Sequence, residues 1–435
     1  MKTIKILLIT IIFTLTCCGR DDELITVEPA PASNLAISSI SPTSGSKNTT
    51  VILKGVDFSS SILGNIVTLN GMPCEVNTAS STILSITIPR GAGSGNISVT
   101  VAGSTVQSPN FRYLITSSMV STSAGSTSGF ANGAGTAARF DFPYGVAVDA
   151  SGNVYVADTD NHKIRKISPT GEVTTFAGSS NGFANGTGTA AQFSFPAGIV
   201  IDDSGTLYVA DYNNHKIRKI STNGVVTTLA GSTAGFANGS GAIAQFNRPY
   251  SVAVDNSGTV YVADFNNHKI RKITPTGVVT TLAGSTIGFA DGLGNAAQFN
   301  YPIGVAVDSQ DNVYVADYEN NRIRKISPAG IVTTFAGSSN GFANGTGTAA
   351  QFSFPACIVI DGSGIMYVAD YNNHKIRKIT PTGVVTTLAG GTIGFADGIT
   401  STAKFDFPTG VAIDALGNVY IADQDNHKIR IITQD

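Results

Sequence analysis

A short motif containing an aspartate, a histidine and an arginine is the most evident gathering of chemically able side chains in this chain. It reads Y-V-A-D-Y-N-N-H-K-I-R-K-I at residues 208–220 and returns unchanged at 367–379. Asp211 precedes the imidazole of His215 by four residues and the guanidinium of Arg218 by seven. Such a set could transfer a proton, bind a metal ion or clamp an anion. It could equally form a turn between two strands, where Asp and Asn bond free backbone N–H groups.

The motif recurs at a fixed spacing, which favours the structural interpretation. Its six terminal aspartates are 53 residues apart, as are six prolines upstream of them. Each copy reads as four short strands separated by Gly, Asn and Asp turns, and a four-stranded unit repeated six times is typical of a β-propeller. The two sets are Asp158, Asp211, Asp264, Asp317, Asp370 and Asp423, and Pro143, Pro196, Pro249, Pro302, Pro355 and Pro408.

The two ends of the repeat array are complementary. The last copy stops at H-K-I-R-I-I-T-Q-D and lacks its V-T-T-x-A-G strand, whereas V-S-T-S-A-G at 120–125 lies 53 residues before V-T-T-F-A-G at 173–178. We therefore expect an all-β, six-bladed propeller over residues 119–435, in which the N-terminal strand 119–125 completes the last blade. A closed ring needs no polar end caps, unlike an open solenoid.

The histidines are predicted to be structural. They occupy one repeat position, His162, His215, His268, His374 and His427, and the fourth copy has Asn321 there. Equivalent turns of neighbouring blades should lie roughly 10 Å or more apart, given strands about 4.8 Å apart, so their imidazoles cannot share a metal ion. The sequence thus predicts no catalytic residue, no metal site at these positions and no cofactor.

A second set of aspartates leaves two interpretations open. These residues end the first strand of each copy, at Asp149, Asp202, Asp255, Asp308, Asp361 and Asp414. A ring of carboxylates could bind an axial cation such as Ca²⁺, which takes six to eight oxygen ligands. The alternative is that each Asp opens a tight turn.

The basic residues of the repeats could form a binding surface for acidic polymers. The H-K-I-R-K segments hold 17 of the 27 lysines and arginines, while the net charge is −2 and only 13% of residues are charged. Because aspartates on adjoining turns balance them, the preferred interpretation is a solvated outer face, with no nucleic-acid partner.

Positions that differ between copies are better candidates for recognition. One follows the Y-V-A-D motif, and others flank the repeated proline. Aromatic and arginine side chains are enriched at recognition surfaces; the alternative is that they pack beneath the long connecting segments. The candidate binding face consists of Tyr212, Phe265, Tyr318, Tyr371, Tyr144, Arg248, Tyr250 and Tyr301.

The N-terminal residues read as a targeting segment rather than as part of the fold. Residues 1–18 contain two lysines, an apolar run too short to span a bilayer, and L-T-C-C. This end resembles the lipobox of bacterial lipoproteins, which implies acylation of Cys18, and the acidic run at 21–23 resembles the surface-export signal of Bacteroidetes-type bacteria. Residues 19–34 read as a flexible tether. A disulfide framework is not expected, because Cys74 and Cys357 lie in different predicted domains.

Two further resemblances concern the folded parts. The order I-x-x-I-x-P-x-x-G and then V-x-L-x-G-x-x-F within residues 35–114 resembles the IPT/TIG family of immunoglobulin-like sandwiches, which implies a β-sandwich spacer. The segment F-P-Y-G-V-A-V-D-A-S-G-N-V-Y-V-A-D-T-D-N-H-K-I-R-K-I at 142–167 and its copies resemble NHL repeats. NHL modules are six-bladed propellers that mostly bind proteins or RNA, while a minority of relatives are lyases or hydrolases.

Together these features predict a monomeric outer-membrane lipoprotein at the cell surface that reaches the membrane only through its lipid anchor. It would act as a non-catalytic binding or scaffold protein, with an envelope or extracellular protein or a glycan as partner. The alternatives are an extracellular hydrolase or lyase and a purely structural envelope protein.

Overall fold

The computed structural model of the protein describes residues 34–114 and 118–434. The predicted signal segment with Cys18, and all of the predicted tether except Asn34, lie outside these residues. The described residues form β-strands and short 3₁₀ turns and contain no α-helix. None of their helical segments is long and apolar enough to cross a bilayer. The all-β class predicted from the sequence is confirmed.

The first domain is a sandwich of two sheets around one apolar core. Leu53, Leu84 and Phe111 are among its fully buried side chains. One sheet is formed by Ala36–Ser41, Thr50–Val56, Ile83–Thr87 and Glu75–Ala79, and the other by Ser44–Gly45, Ser104–Tyr113, Gly95–Val101, Ile66–Leu69 and Met72–Pro73, each in spatial order.

Six sheets make up residues 118–434. The first strands of neighbouring blades contact each other all the way round, including Pro143–Val148 with Pro408–Ile413, so they surround the propeller axis. First strands are Pro143–Val148, Pro196–Ile201, Pro249–Val254, Pro302–Val307, Pro355–Ile360 and Pro408–Ile413; second strands are Val154–Asp158, Leu207–Asp211, Val260–Asp264, Val313–Asp317, Met366–Asp370 and Val419–Asp423. Third strands are Lys163–Ile167, Lys216–Ile220, Lys269–Ile273, Arg322–Ile326, Lys375–Ile379 and Lys428–Gln434; outer strands are Glu172–Ala177, Val225–Ala230, Val279–Ala283, Ile331–Ala336, Val384–Ala389 and Ser118–Ala124.

The outer strand of the sixth blade comes from the beginning of the array. Ser118–Ala124 pairs antiparallel with Lys428–Gln434, and Val120 lies opposite Ile432. Val120 is buried in the apolar core between the fifth and sixth blades, and Ala124 is buried in the core between the sixth and first blades. Both ends of the repeat array therefore meet in one sheet, and the ring is closed by backbone hydrogen bonds.

Long connections link each outer strand to the first strand of the next blade. On the way, most add a two-residue edge strand and a single 3₁₀ turn: the edge strands are Gly133–Ala134, Gly186–Thr187, Gly292–Leu293, Gly345–Thr346 and Gly398–Ile399. We call the side that carries these connections and the turns between second and third strands the upper face. The side with the turns between first and second strands is the lower face.

The sandwich contacts the propeller at the lower face of the sixth blade. The Arg90 guanidinium donates a hydrogen bond of 2.8 Å to the side-chain oxygen of Asn418. Gly91 lies so close to Leu416 that an added Cβ would stand 2.3 Å from the Leu416 carbonyl oxygen. The sandwich thus adjoins the face opposite to the long connections.

Candidate binding face around the propeller axis

Each aspartate that ends a Y-V-A-D motif is the centre of a buried ion pair. Asp211 accepts a hydrogen bond of 2.6 Å from Arg218, and both side chains are fully buried. The other Asp211 oxygen accepts the Ser194 backbone N–H at 2.8 Å. The aspartates thus bond a free backbone N–H, as the turn interpretation predicts. All six blades repeat the ion pair, in Asp158–Arg165, Asp211–Arg218, Asp264–Arg271, Asp317–Arg324, Asp370–Arg377 and Asp423–Arg430.

The interpretation of the basic run as a solvated outer face is wrong for these arginines. The Arg218 guanidinium lies between two rings, 4.8 Å from the centroid of Phe183 and 5.1 Å from that of Phe193. It also donates hydrogen bonds to the carbonyl oxygens of Gln192 and Ala184. The arginines are therefore buried because they fasten the long connections to the blades. Lys219, the next residue of the same strand, is exposed.

Burial and pairing act in opposite directions on these carboxyl groups. Burial raises the pKa of Asp158 to about 6, while the Asp141 N–H and Arg165 lower it. At neutral pH Asp158 is consequently a carboxylate, the form that accepts bonds from Arg165 and Asn161.

The histidines join neighbouring blades. Nδ1 of His162 accepts the backbone N–H of Phe195 at 3.2 Å, and the two rings meet edge to face at 4.7 Å. Asn321, in the fourth blade, accepts the Phe354 N–H through its side-chain oxygen at 2.9 Å. Since the Asn321 amide makes the same bond as the imidazoles, the side chain at this repeat position serves as a hydrogen-bond acceptor. This agrees with the structural role predicted for the histidines.

The residue whose backbone N–H is bound by each histidine, or by Asn321, has a left-handed backbone conformation. Phe195 has φ of 52°, and the residues before the other five repeated prolines are also left-handed. Such a conformation costs a side-chain-bearing residue roughly 1–2 kcal/mol. The inter-blade hydrogen bond offsets this strain in all six blades, and a ring contact with the histidine adds to it at Phe142, Phe195, Tyr301 and Phe407. The six residues are Phe142, Phe195, Arg248, Tyr301, Phe354 and Phe407.

The second set of aspartates opens turns on the lower face. One Asp149 oxygen accepts the N–H groups of Ser151 and Asn153, and the other accepts the Asn153 side chain and the Tyr155 hydroxyl. Each aspartate of this set is thus engaged in its own turn, as the tight-turn alternative describes. Within 34–114 and 118–434 no three His, Cys, Asp or Glu side chains are grouped as metal ligands.

The eight residues of the candidate binding face gather around the axis on the upper face. Tyr144 of the first blade is buried, and its ring centroid lies 4.8 Å from that of Tyr250 of the third blade. Tyr250 in turn contacts Tyr212 at 5.1 Å and Phe265 at 5.2 Å. The remaining contacts are Tyr212 with Phe265 at 6.5 Å, Phe265 with Tyr301 at 4.8 Å, Tyr318 with Tyr371 at 6.3 Å, and the Arg248 guanidinium 5.5 Å from the Tyr212 ring.

The sequence left open whether these side chains form a recognition surface or pack beneath the long connections. They pack on one another and remain partly exposed, apart from the buried Tyr144 and the exposed Arg248. Burial raises the pKa of Tyr318 to about 12, so this hydroxyl stays protonated near neutral pH. The face therefore offers neutral aromatic surface with hydroxyl groups.

Two cavities meet at Tyr144. Below it lies an axial cavity of about 400 Å³, lined mainly by Val, Ile and Ala of the first strands and also by Cys357. Above it lies a recess of about 300 Å³ in the upper face. We call this upper cavity the blade-one recess; it is lined by Phe142, Tyr144, Thr159, Asp160, Phe195, Ala197, Tyr212, Tyr250 and Gln424.

Asp160 was not recognised as a candidate from the sequence, although a signal was present. The repeat position that it occupies changes between charged and neutral residues from copy to copy. Its counterparts are Asn213, Asn266, Glu319, Asn372 and Asp425. Variation in charge at one repeat position, like variation in aromatic character at its neighbour, marks where blades differ on the upper face.

The fold and this face define a six-bladed β-propeller attached to an immunoglobulin-like sandwich. The IPT/TIG family model matches residues 35–113. The NHL repeat model matches 140–167, 193–220, 246–273, 299–326 and 405–432. The chain therefore belongs to the NHL-repeat propeller proteins and carries an N-terminal IPT/TIG domain.

The fifth copy is not among the NHL matches. Residues 352–379 differ from 193–220 by Cys357, Gly362, Ile365 and Met366 in place of Gly198, Asp203, Thr206 and Leu207. The structure nevertheless forms the same four strands there.

Curated relatives share the repeat region. NHL repeat-containing protein 2 from Gallus gallus is 30% identical over 339 residues, 67% of this chain and 46% of the relative. The protein SUPPRESSOR OF QUENCHING 1, chloroplastic, from Arabidopsis thaliana is 30% identical over 319 residues, 67% of this chain and 30% of the relative. The chain thus spans less than half the length of either relative.

Solved structures resemble almost the whole chain. A protein of unknown function from Bacteroides thetaiotaomicron has a TM-score of 0.72 at 22% identity and covers 93% of this chain and 99% of its own. An auxiliary nutrient binding protein from Bacteroides ovatus has a TM-score of 0.57 at 21% identity, with coverage of 93% and 99%. At these identities the likeness establishes the fold.

Proposed function

We propose that this protein is a non-catalytic binding protein held outside the cytoplasm by a lipid on Cys18. Its upper propeller face binds an envelope or extracellular protein or a glycan. The observation that carries this proposal is the gathering of partly exposed aromatic side chains around the axis on a single face. Aromatic groups supply much of the contact energy at recognition surfaces.

The position of the sandwich supports this proposal. The sandwich contacts the lower face through Arg90 and Asn418, so it leaves the upper face uncovered. An anchor placed before the sandwich would then attach on the side away from the aromatic face. The description of the Bacteroides ovatus neighbour as an auxiliary nutrient binding protein is consistent with a binding role.

Truncation of four aromatic side chains is expected to abolish partner binding. In a pull-down from cell envelope and on a glycan array, we expect replacement of Tyr212, Phe265, Tyr318 and Tyr371 by Ala to weaken capture at least about 100-fold, since individual hot spots contribute about 2 kcal/mol or more. The matched control replaces Val225, Ile331 and Val384, which are exposed at the start of outer strands, and should bind as the native chain does.

A folded four-residue variant that retained its affinity would remove this face from consideration. Chemical conversion of a captured ligand would instead favour the alternative of a hydrolase or lyase. Circular dichroism and the unfolding midpoint would show whether each variant is folded.

Loss of the cysteine thiol is expected to release the protein from membranes. Cys18→Ser removes the thiol on which the predicted lipid anchor depends, so the variant should appear in the soluble fraction after cell disruption. Stable anchoring needs more than one acyl chain. Cys17→Ser is the control and should remain in the membrane fraction, whereas membrane association of Cys18→Ser would contradict the lipid anchor.

A further inference from the structure

The blade-one recess exists because the aromatic ring of the upper face is incomplete. The position after each Y-V-A-D motif, which reads Y-I-A-D in blade six, is aromatic in blades two to five, but it is Thr159 in blade one and Gln424 in blade six. Both residues line the recess, and the rings of Phe142, Phe195 and Tyr212 form walls around it. Two smaller side chains therefore leave a space of about 300 Å³, close to the lower limit of ordinary ligand pockets.

Negative charge is concentrated in the same two blades. The repeat positions of Asp141 and Asp160 in blade one are also aspartates in blade six, as Asp406 and Asp425. In the other blades these positions hold serine or asparagine, apart from Glu319. Of these four carboxyl groups Asp160 lines the recess, and Asp141 is close enough to act on it electrostatically.

One of these carboxyl groups lines the recess without a hydrogen-bond donor. Asp160 is exposed at the edge of the recess, and none of the described residues donates a hydrogen bond to its carboxylate, whereas Asp141 accepts the Ser128 hydroxyl at 2.7 Å. Burial and the charge of Asp141 raise the pKa of Asp160, and His427 lowers it. A positive charge placed in the recess would relieve the repulsion between the two carboxylates.

We propose that the blade-one recess binds an organic cation, a substituted ammonium or a guanidinium group, which the aromatic walls surround and Asp160 pairs. The proposal rests on the function proposed above and specifies the ligand chemistry of that face. Cations bind over the faces of Tyr and Phe rings, more strongly when water is excluded. No lysine or arginine is among the residues that line the recess, and Arg248 stacks on Tyr212 outside it. The ligand is either a free small cation or a basic side chain of a protein.

Matched cations and neutral isosteres test the charge requirement. Calorimetric titration of the full chain compares choline with 3,3-dimethylbutan-1-ol and methylguanidinium with N-methylurea. We expect at least one cation to bind ten times more tightly than its neutral partner. Equal affinity within both pairs, or no binding of either cation at about 10 mM, overturns the proposal, because that concentration detects even weak millimolar binding.

Two variants localise the site. Asp160→Asn introduces the residue that blades two, three and five carry at this position, and it should weaken cation binding at least tenfold. Thr159→Tyr introduces the residue found in blades two, four and five and should fill the recess and abolish binding. Glu319→Gln removes the equivalent carboxylate in blade four and should change nothing. Cation binding that survives Thr159→Tyr, or that Glu319→Gln weakens as much as Asp160→Asn, overturns the proposal.

A peptide arm identifies the source of the cation. A lysine- and arginine-containing peptide that binds at least ten times more tightly than the free cations identifies a protein side chain, and equal or weaker binding identifies a small molecule. If neither cation binds the full chain but the four-aromatic variant still loses its envelope partner, the cation proposal alone is refuted. If cation binding depends on Asp160 but the four-aromatic variant keeps its envelope partner, the proposed partner binding by the upper face is refuted instead.

Discussion

Replacing Arg218 by Met is expected to lower the free energy of unfolding of the propeller by about 3–5 kcal/mol, the usual cost of removing one partner from a buried ion pair. Asp211 would keep a fully buried charge without its guanidinium. The carbonyl oxygens of Gln192 and Ala184 would lose their donor as well. The loss should therefore loosen the long connection as well as the blade.

Denaturant unfolding measures the first effect, and hydrogen exchange of residues 182–193 measures the second. Lys219→Met is the control, since this next residue of the same strand is exposed, and its change should stay within about 0.5 kcal/mol. Adding Asp211→Asn to Arg218→Met should restore part of the stability, because the neutral amide can still accept the Ser194 N–H. A loss below about 1 kcal/mol for Arg218→Met would show that the pair is not the stabilising centre of the blade.

Replacing His162, His215, His268 and His374 by Asn is expected to remove an acid-sensitive part of the stability. Burial lowers the pKa of each of these histidines, aided by neighbouring cations such as Lys163 beside His162. A histidine with a folded-state pKa below the usual 6.5 contributes stability that is complete above about pH 6.5 and is lost as pH falls through the folded-state pKa. The physical reason is that a protonated Nδ1 cannot accept the backbone N–H of the next blade.

The measurement is the difference in unfolding free energy between the native chain and the four-asparagine variant from about pH 7.5 to about pH 5. The native chain should lose stability relative to the variant as the pH falls. Each lost hydrogen bond is worth about 1 kcal/mol. The buried aspartates, whose raised pKa values act in the opposite sense, are common to both proteins and cancel. The fourth blade already contains Asn321, so the substitution has a precedent in the fold. A pH-independent difference would refute the role of the histidines as neutral acceptors.

The blades themselves were predictable from the sequence because each is a local, repeated unit. The second copy predicts strands at 197–202, 206–211, 215–220 and 225–231, and the structure has Pro196–Ile201, Leu207–Asp211, Lys216–Ile220 and Val225–Ala230. Turn residues and the 53-residue period fix these boundaries without any knowledge of packing. The role of the histidines as structural residues also followed from repetition, because one blade replaces the imidazole by an amide.

The burial of Arg218 was not predictable, because it depends on the path of a distant segment. Its carbonyl partners lie 26 and 34 residues away in the sequence, within a glycine-rich connection that has no strong periodicity. The blade-one recess was missed for a related reason. Thr159 and Gln424 occupy one variable repeat position, but they are 265 residues apart in the chain (424 − 159) and become neighbours only when the ring closes.

Ring closure also determines how a mechanical load would pass through the molecule. The sandwich precedes Ser118, which lies at the lower-face end of the strand that pairs with Lys428–Gln434. A pull from that side acts along Ser118–Ala124, parallel to the strand and across hydrogen bonds that run perpendicular to it. These bonds are then sheared together instead of being opened one after another. In a propeller tethered in this way, the strand pair that closes the ring would also resist drag on a bound partner.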